Sequence, residues 1–432
     1  MIPQFFERRG IDYKWVVLTV AFVTVFTVLG FRQAFGVLYV AILDDTGWMR
    51  ADTAGIFSVA MVTYMLTAVA SGALFDWLGP RVQFPIGSVV LVIGLLLCAT
   101  IGAIWELYVF YGVLVGLGFV LLGFIPHVAL VPQWFPRRTG LASAVIIGGV
   151  GFGALGMPML CTWSILWVGW RGTLVLVAVI VALVIFPMTA LIHRNRANHQ
   201  PMASESDPDG MAEAEAAAVV HTTMLAAMAR PAFWLLLVAV ALIGGGQMTM
   251  AVHQTRLLVD MGYSLQLAAM LFGLTGLFRS VGGFIWGPLS DRYGSRIIVL
   301  LGGAMGSLGV GALLMVHDAT SLTTLVVFVV LFGIGFGGIS PVYASIVSQL
   351  FPGRSLGKIF GLLDVGYGAG SAGGPFLAGW VYDRFASYDI ALYALVVAAG
   401  GSGLFLFLAI QSHRWYLAAN GLAQPAAEDG AA

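Results

Sequence analysis

Long apolar runs alternate with short polar breaks along almost the whole chain. A membrane-spanning helix needs about 20 mostly apolar residues. Such runs occur at 16–42, 53–75, 82–103, 107–133, 140–165, 172–192, 232–257, 264–289, 297–316, 321–348, 356–381 and 388–411. The pattern predicts an all-α membrane protein of twelve transmembrane helices. The first run is too long for a signal peptide and lacks a small-residue cleavage site, so it is expected to stay in the mature chain. One polar stretch separates the sixth run from the seventh and contains QPMASESDPDGMAEAEAAA. It has no apolar face to bury and reads as a linker. The expected division is a six-helix bundle over 1–192, a linker over 193–230, a second six-helix bundle over 231–411, and a tail over 412–432.

Composition removes other classes. Apolar residues make up 60% of the 432 and charged residues only 9%, too few polar side chains to cover a water-facing surface. Lys+Arg and Asp+Glu balance at 20 each, which leaves no footprint for nucleic acid. Cys98 and Cys161 lie in apolar runs without metal-ligand spacing, so neither a metal site nor a cofactor is expected. No nucleophile–base pair or paired acids at matching depth points to a membrane-embedded enzyme.

The cations also orient the chain. With the N-terminus inside, 14 Lys/Arg fall on the inner side, 4 on the outer side (Arg50, Arg171, Arg256 and Arg384), and 2 within spans. Cytoplasmic loops carry the excess of Lys and Arg. Both termini and the linker are therefore expected in the cytoplasm, with the protein in the plasma membrane (the inner membrane in a bacterium).

The chain repeats itself. Gly72-Ala-Leu-Phe-Asp76-Trp-Leu-Gly79-Pro-Arg81 matches Gly287-Pro-Leu-Ser-Asp291-Arg-Tyr-Gly294-Ser-Arg296. Phe135-Pro136-Arg-Arg138 matches Phe351-Pro352-Gly-Arg354, and Gly151-Phe-Gly153 matches Gly368-Ala-Gly370. Three blocks in order at nearly constant offset indicate two six-span repeats of one orientation. Transporters built from such repeats bind substrate near the midplane, where the halves meet. The pattern G-x-x-x-D-x-x-G-x-R after spans 2 and 8 resembles the signature of the major facilitator superfamily, and with the spans and linker the resemblance covers the whole chain. In this pattern Gly72, Asp76, Arg81, Gly287, Asp291 and Arg296 read as gating and packing residues rather than substrate ligands.

Ionisable groups inside a span cost at least about 2.5 kcal/mol and mark candidate sites. At a rise of ~1.5 Å per residue, Arg279 and Asp364 both stand ~12 Å above the inner boundary, near the midplane, and Arg32 at ~24 Å. A guanidinium is always charged and binds a carboxylate with two parallel hydrogen bonds, which makes Arg279 the leading substrate ligand. An ion pair with Asp364 is the alternative. The repeat mate of Arg279 is Tyr64, so only one half supplies the cation, which suits a small anion with one charged end. Asp364 is a candidate for proton coupling or a structural partner. Arg32 reads as a second anion ligand, an outer gate, or a side chain reaching Asp44 or Asp45. Gln33 and its mate Gln247 are candidate hydrogen-bonding ligands, and Tyr343 a further polar liner. His127 and His253 are expected at the interfaces. The glycine runs at 148–153 and 366–374 lie mid-span, so close helix packing explains them better than phosphate binding.

Trp134-Phe-Pro-Arg-Arg138-Thr-Gly140-Leu-Ala-Ser143, followed by Gly148, Gly149 and Gly151, is similar to the span-5 signature of the monocarboxylate transporter family. Asp12-Tyr-Lys-Trp15 partly resembles its other signature, with Tyr13 and Lys14 where that family prefers glycines. The resemblance implies that Arg279 takes the substrate carboxylate. It also implies an acid one turn earlier, where this chain has Thr275, leaving Asp364 as the substitute. Oxalate/formate exchangers look similar but pair the span-8 arginine with a lysine in span 11; here Lys358 sits near the inner end and Asp364 lies deeper. The expectation is a secondary transporter of small monocarboxylates such as lactate or pyruvate. It would work by proton symport and alternating access, as a monomer whose partners are the carboxylate, protons and the bilayer. The rivals are oxalate/formate-type exchange, drug export and a nutrient sensor on a transporter fold.

Overall fold

The computed structural model describes residues 12–123, 126–127, 130, 134–135, 139–192, 223–316, 321–352 and 356–419. Arg137, Arg138, Arg354, linker residues 193–222 and the tail beyond 419 lie outside them. Ten helices among the described residues are long and apolar enough to cross a membrane. One of them, Val145–Leu191, is broken by non-helical backbone at Gly169 and makes two spans. Leu356–Phe385 completes twelve; its glycines and charged residues dilute its hydropathy.

The spans are α1 (Tyr13–Gln33, continued as Phe35–Thr46), α2 (Arg50–Leu78), α3 (Pro80–Ala99), α4 (Ile104–Leu121), α5 and α6 (139–192, divided at Gly169), α7 (Pro231–Asp260), α8 (Leu265–Tyr293), α9 (Ser295–Leu314), α10 (Leu322–Leu350), α11 (Leu356–Phe385) and α12 (Asp389–Ala419). Their ends carry the signals the sequence supplies. Asp12 accepts from Lys14 N to cap α1, Ser264 accepts from Leu267 N to cap α8, and Pro80 and Pro231 open α3 and α7. These groups satisfy or remove N–H donors that a helix start leaves unpaired.

The repeated signature appears as repeated structure. Asp76 lies in the last turns of α2, and Gly79 turns the chain into α3 at φ 72°. Gly294 does the same between α8 and α9 at φ 82°. A positive φ is open to glycine and strained for other residues. Arg81 and Asp291 are exposed at these junctions. Both junctions lie on one face of the molecule, called the signature end below; the opposite face is the Arg50 end.

Across the halves, α2 packs on α11, α5 on α8, and the Phe35–Thr46 part of α1 on α7. Within them, α1 packs on α5 and α7 on α11. The glycine runs serve this packing. A Cβ on Gly153 would stand 2.4 Å from Phe26 O, and one on Gly370 1.9 Å from Ala241 O. Aromatic side chains fill the first half, among them Phe35, Phe57, Tyr111 and Phe119, each at most 2% exposed.

Candidate functional site

Two arginines share one cavity. A space of about 500 Å³ lies between the halves, lined from the first by Arg32, Gln33 and Tyr64 and from the second by Gln247, Arg279 and Tyr367. The repeat mates Gln33 and Gln247 face it from α1 and α7, and Tyr64 and Arg279 from α2 and α8. Leu29 and Met248 extend the α1 and α7 walls, and Ile147, Ser280, Phe284 and Pro341 add the parts of α5, α8 and α10 nearer the signature end.

Local breaks in the helices shape this space. α1 is interrupted at Ala34, directly after Arg32 and Gln33. α10 changes to π-helix over Phe332–Phe336 and 3₁₀-helix over Gly337–Ile339. Such departures from α geometry often occur at functional sites. Here they bring α10 against α8 so closely that a Cβ on Gly337 would stand 2.8 Å from Arg279 Cγ. The arginine stem lies on bare backbone, and its head group reaches the cavity.

Among the described residues, neither arginine has an acidic partner. The ion pairs among the described residues include neither Arg32 nor Arg279. The expected alternatives for them are therefore not formed: Asp44 pairs with Arg256, and Asp45 pairs with Arg171. Arg32 stands over the Tyr64 ring at 5.6 Å, with its Nε buried and unpartnered. An unpaired cation in a membrane interior is costly, so the pair of guanidiniums is an anion-attracting feature.

The other candidates lie around this centre. Asp364 is one turn before Tyr367 on α11, toward the signature end, outside the cavity wall, and exposed. Tyr343 also stands outside the wall, its ring against Phe360 at 6.0 Å. Lys358 is exposed near the start of α11. The histidines are a correction. Their positions near span ends suggested interfacial groups, yet His127 is 0% and His253 3% exposed. His253 Nε2 donates to Pro375 O at 2.8 Å, since a carbonyl can only accept. Its Nδ1 then accepts from Tyr388 OH at 3.0 Å. Packing against a neighbouring helix outweighed headgroup contact.

The Arg50 end carries a network that sequence reading missed. Arg50 binds Asp260 at 2.6 Å and Tyr388 OH at 2.9 Å, and lies 3.5 Å over the Tyr382 ring. Asp383 accepts from Arg50 N at 3.0 Å and Ala51 N at 2.7 Å, capping α2 from the opposite half. Arg256 joins Asp44 to Asp260. The ion pairs between described residues of the two halves all lie at this end. Sorting acids as well as cations by side would have found them, because Arg50 and Arg256 are among only 4 cations expected on the outer side. At the other end, the two resembling segments meet: Tyr13 packs on Trp134 at 5.4 Å and Trp15 on Phe135 at 5.3 Å.

A multi-pass helical protein whose repeated halves enclose a largely apolar cavity with a few polar and charged groups is of the transporter class. The family model described as Major Facilitator Superfamily matches residues 20–283 and again 256–426, and the chain belongs to that superfamily. It is 27% identical over 400 residues to "Monocarboxylate transporter 13" of Rattus norvegicus, covering 92% of this chain and 89% of that one. It is 25% identical over 416 residues to "Monocarboxylate transporter 11" of Homo sapiens, covering 95% and 85%. An "Uncharacterized MFS-type transporter YhjX" of Escherichia coli (strain K12) is 24% identical over 379 residues, covering 86% and 88%. The solved structure of a bacterial homolog to the human lysosomal transporter Spinster, inward-facing and unoccupied, aligns with TM-score 0.68 and 16% identity over 96% of this chain and 99% of that one, which is a likeness of fold.

Proposed function

We propose that the protein carries small monocarboxylates of the lactate or pyruvate kind across the plasma membrane by proton-coupled symport. The observation that carries this reading is Arg279, a cation that lines a cavity between the two halves and has no acidic partner among the described residues. A carboxylate placed there accepts two parallel hydrogen bonds from the guanidinium and replaces missing countercharge. Arg32, Tyr64, Gln33 and Gln247 complete the site. Asp364, one turn below the cavity wall and within electrostatic reach of Tyr64 and Tyr343, is the proposed proton carrier. The signature end faces the cytoplasm with both termini, following the 14-to-4 distribution of Lys and Arg. The two six-helix halves rock about the site, and one chain suffices.

The test is uptake of labelled lactate and pyruvate into proteoliposomes with an imposed pH gradient. Asp364→Asn is expected to abolish the gradient's effect while leaving exchange of internal for external substrate. Gradient-driven uptake that survives this change places the proton elsewhere. One observation favours a second reading, exchange of the oxalate/formate type. Arg32 enters the same cavity as Arg279, and two cations suit a dianion. Rapid oxalate counterflow that ignores the pH gradient would establish that reading instead.

A further inference from the structure

Behind Arg279, toward the Arg50 end, lies a second chamber of about 20 Å³. Gln33, Gln247 and Arg279 line both it and the main cavity, and Gln254 and Thr275 belong to the chamber alone. The space suffices for one water-sized group. Gln254 is 0% exposed, and Thr275 orients its amide. Thr275 Oγ1 gives its hydrogen to Leu271 O at 3.0 Å, so toward Gln254 it only accepts, from Nε2 at 3.4 Å. Gln254 Oε1 is left as a buried acceptor without a donor, and Gln33 Oε1, on a residue 3% exposed, is another. A buried acceptor is costly until a donor reaches it.

We propose that this chamber receives a hydroxyl on the carbon next to the substrate carboxylate, making the protein selective for 2-hydroxy acids. The inference rests on the proposal that Arg279 holds the carboxylate. Because Arg279 lines both spaces, a carboxylate on its guanidinium sets the adjacent carbon at the mouth of the chamber. A hydroxyl there donates to Gln254 or Gln33 and turns its lone pairs to the guanidinium. A 2-oxo oxygen can accept from the guanidinium but has no hydrogen to give, so the glutamine oxygens stay unpaired. An unsubstituted acid leaves both acceptors unpaired. Sites built to hydrogen-bond a hydroxyl discriminate strongly against analogues lacking it.

The experiment compares lactate, pyruvate and propionate as substrates of the full chain in proteoliposomes. The parent is expected to show a KM for lactate at least about tenfold below that for either analogue. Gln254→Leu is expected to bring the lactate-to-propionate ratio within about twofold. Gln33→Leu should move the ratio the same way, and serves if the first variant does not insert. Equal handling of lactate and propionate by the parent overturns the proposal. So does a variant that weakens both substrates by one factor, as a structural role would. If none of the three acids is transported, the carboxylate reading of Arg279 falls, and this inference with it.

Discussion

At the scale of single residues, the cavity combines charge with apolar support. The Arg279 stem lies on Gly337 backbone, with Gly333 against Phe278 and Thr275 O one turn away. The stem is held on bare backbone while the head group faces the cavity, so the shape of the head group matters as much as its charge. Arg279→Lys keeps one positive charge but replaces the planar fork by a single ammonium. Hydrogen bonds to charged groups are worth about 1.5–3 kcal/mol each, and 1.36 kcal/mol is tenfold in rate. The expected outcome is a fall of about ten- to a hundredfold in kcat/KM for carboxylate uptake, with the protein still inserted and folded. Transport by the lysine variant at the parent rate would remove Arg279 from substrate recognition. Arg32→Gln is a weaker change on this view, because Arg32 already stacks on Tyr64 and its Nε faces no partner.

At the scale of the helix, the Arg50 end shows one element completing another. α2 begins after Met49, which offers no side-chain cap. Its first N–H groups are taken instead by Asp383 of α11. The start of α2 is therefore fully bonded only while the halves meet at this end. Removing a carboxylate cap costs about 0.5–2 kcal/mol. Asp383→Ala is expected to weaken the sealed arrangement by about 1–2 kcal/mol, so that the open fraction at this end rises roughly five- to thirtyfold. A cysteine at Ala251, buried beneath the network, reads this out through its rate of reaction with a membrane-impermeant thiol reagent from the Arg50 side. An unchanged rate in the Asp383→Ala background would show that the seal rests on other contacts. The element scale is also where sequence reading stopped short. The run 388–411 became a helix reaching Ala419, and the breaks at Ala34 and Phe332–Ile339 left no mark in hydropathy. A π-turn changes hydrogen bonding without changing which residues are apolar, so a count of apolar positions passes over it.

At the scale of the whole molecule, the repeat made much of the architecture legible. The Gly79 and Gly294 turns, and the placing of Gln33, Gln247, Tyr64 and Arg279 on corresponding helices around one cavity, match offsets read along the chain. Contacts between helices of different halves had no such signal: Asp383 and Arg50 are 333 positions apart, and Arg256 reaches Asp44 over 212 positions. Those contacts decide which way the cavity faces. The Arg50 end is sealed by ion pairs, while cavity residues nearer the signature end, such as Ile147 and Phe284, are 41% and 58% exposed. The native thiols Cys98 and Cys161 are each 0% exposed, so a cysteine placed at Phe284 reports without interference. It is expected to react with an impermeant reagent in inverted vesicles and to stay unreacted in right-side-out vesicles, with saturating lactate slowing the reaction. Reaction from the outer side alone would reverse the proposed orientation. Equal reaction from both sides would mean that the Arg50 network does not hold the resting protein closed, and the accessibility of the site would then be governed by contacts at the signature end.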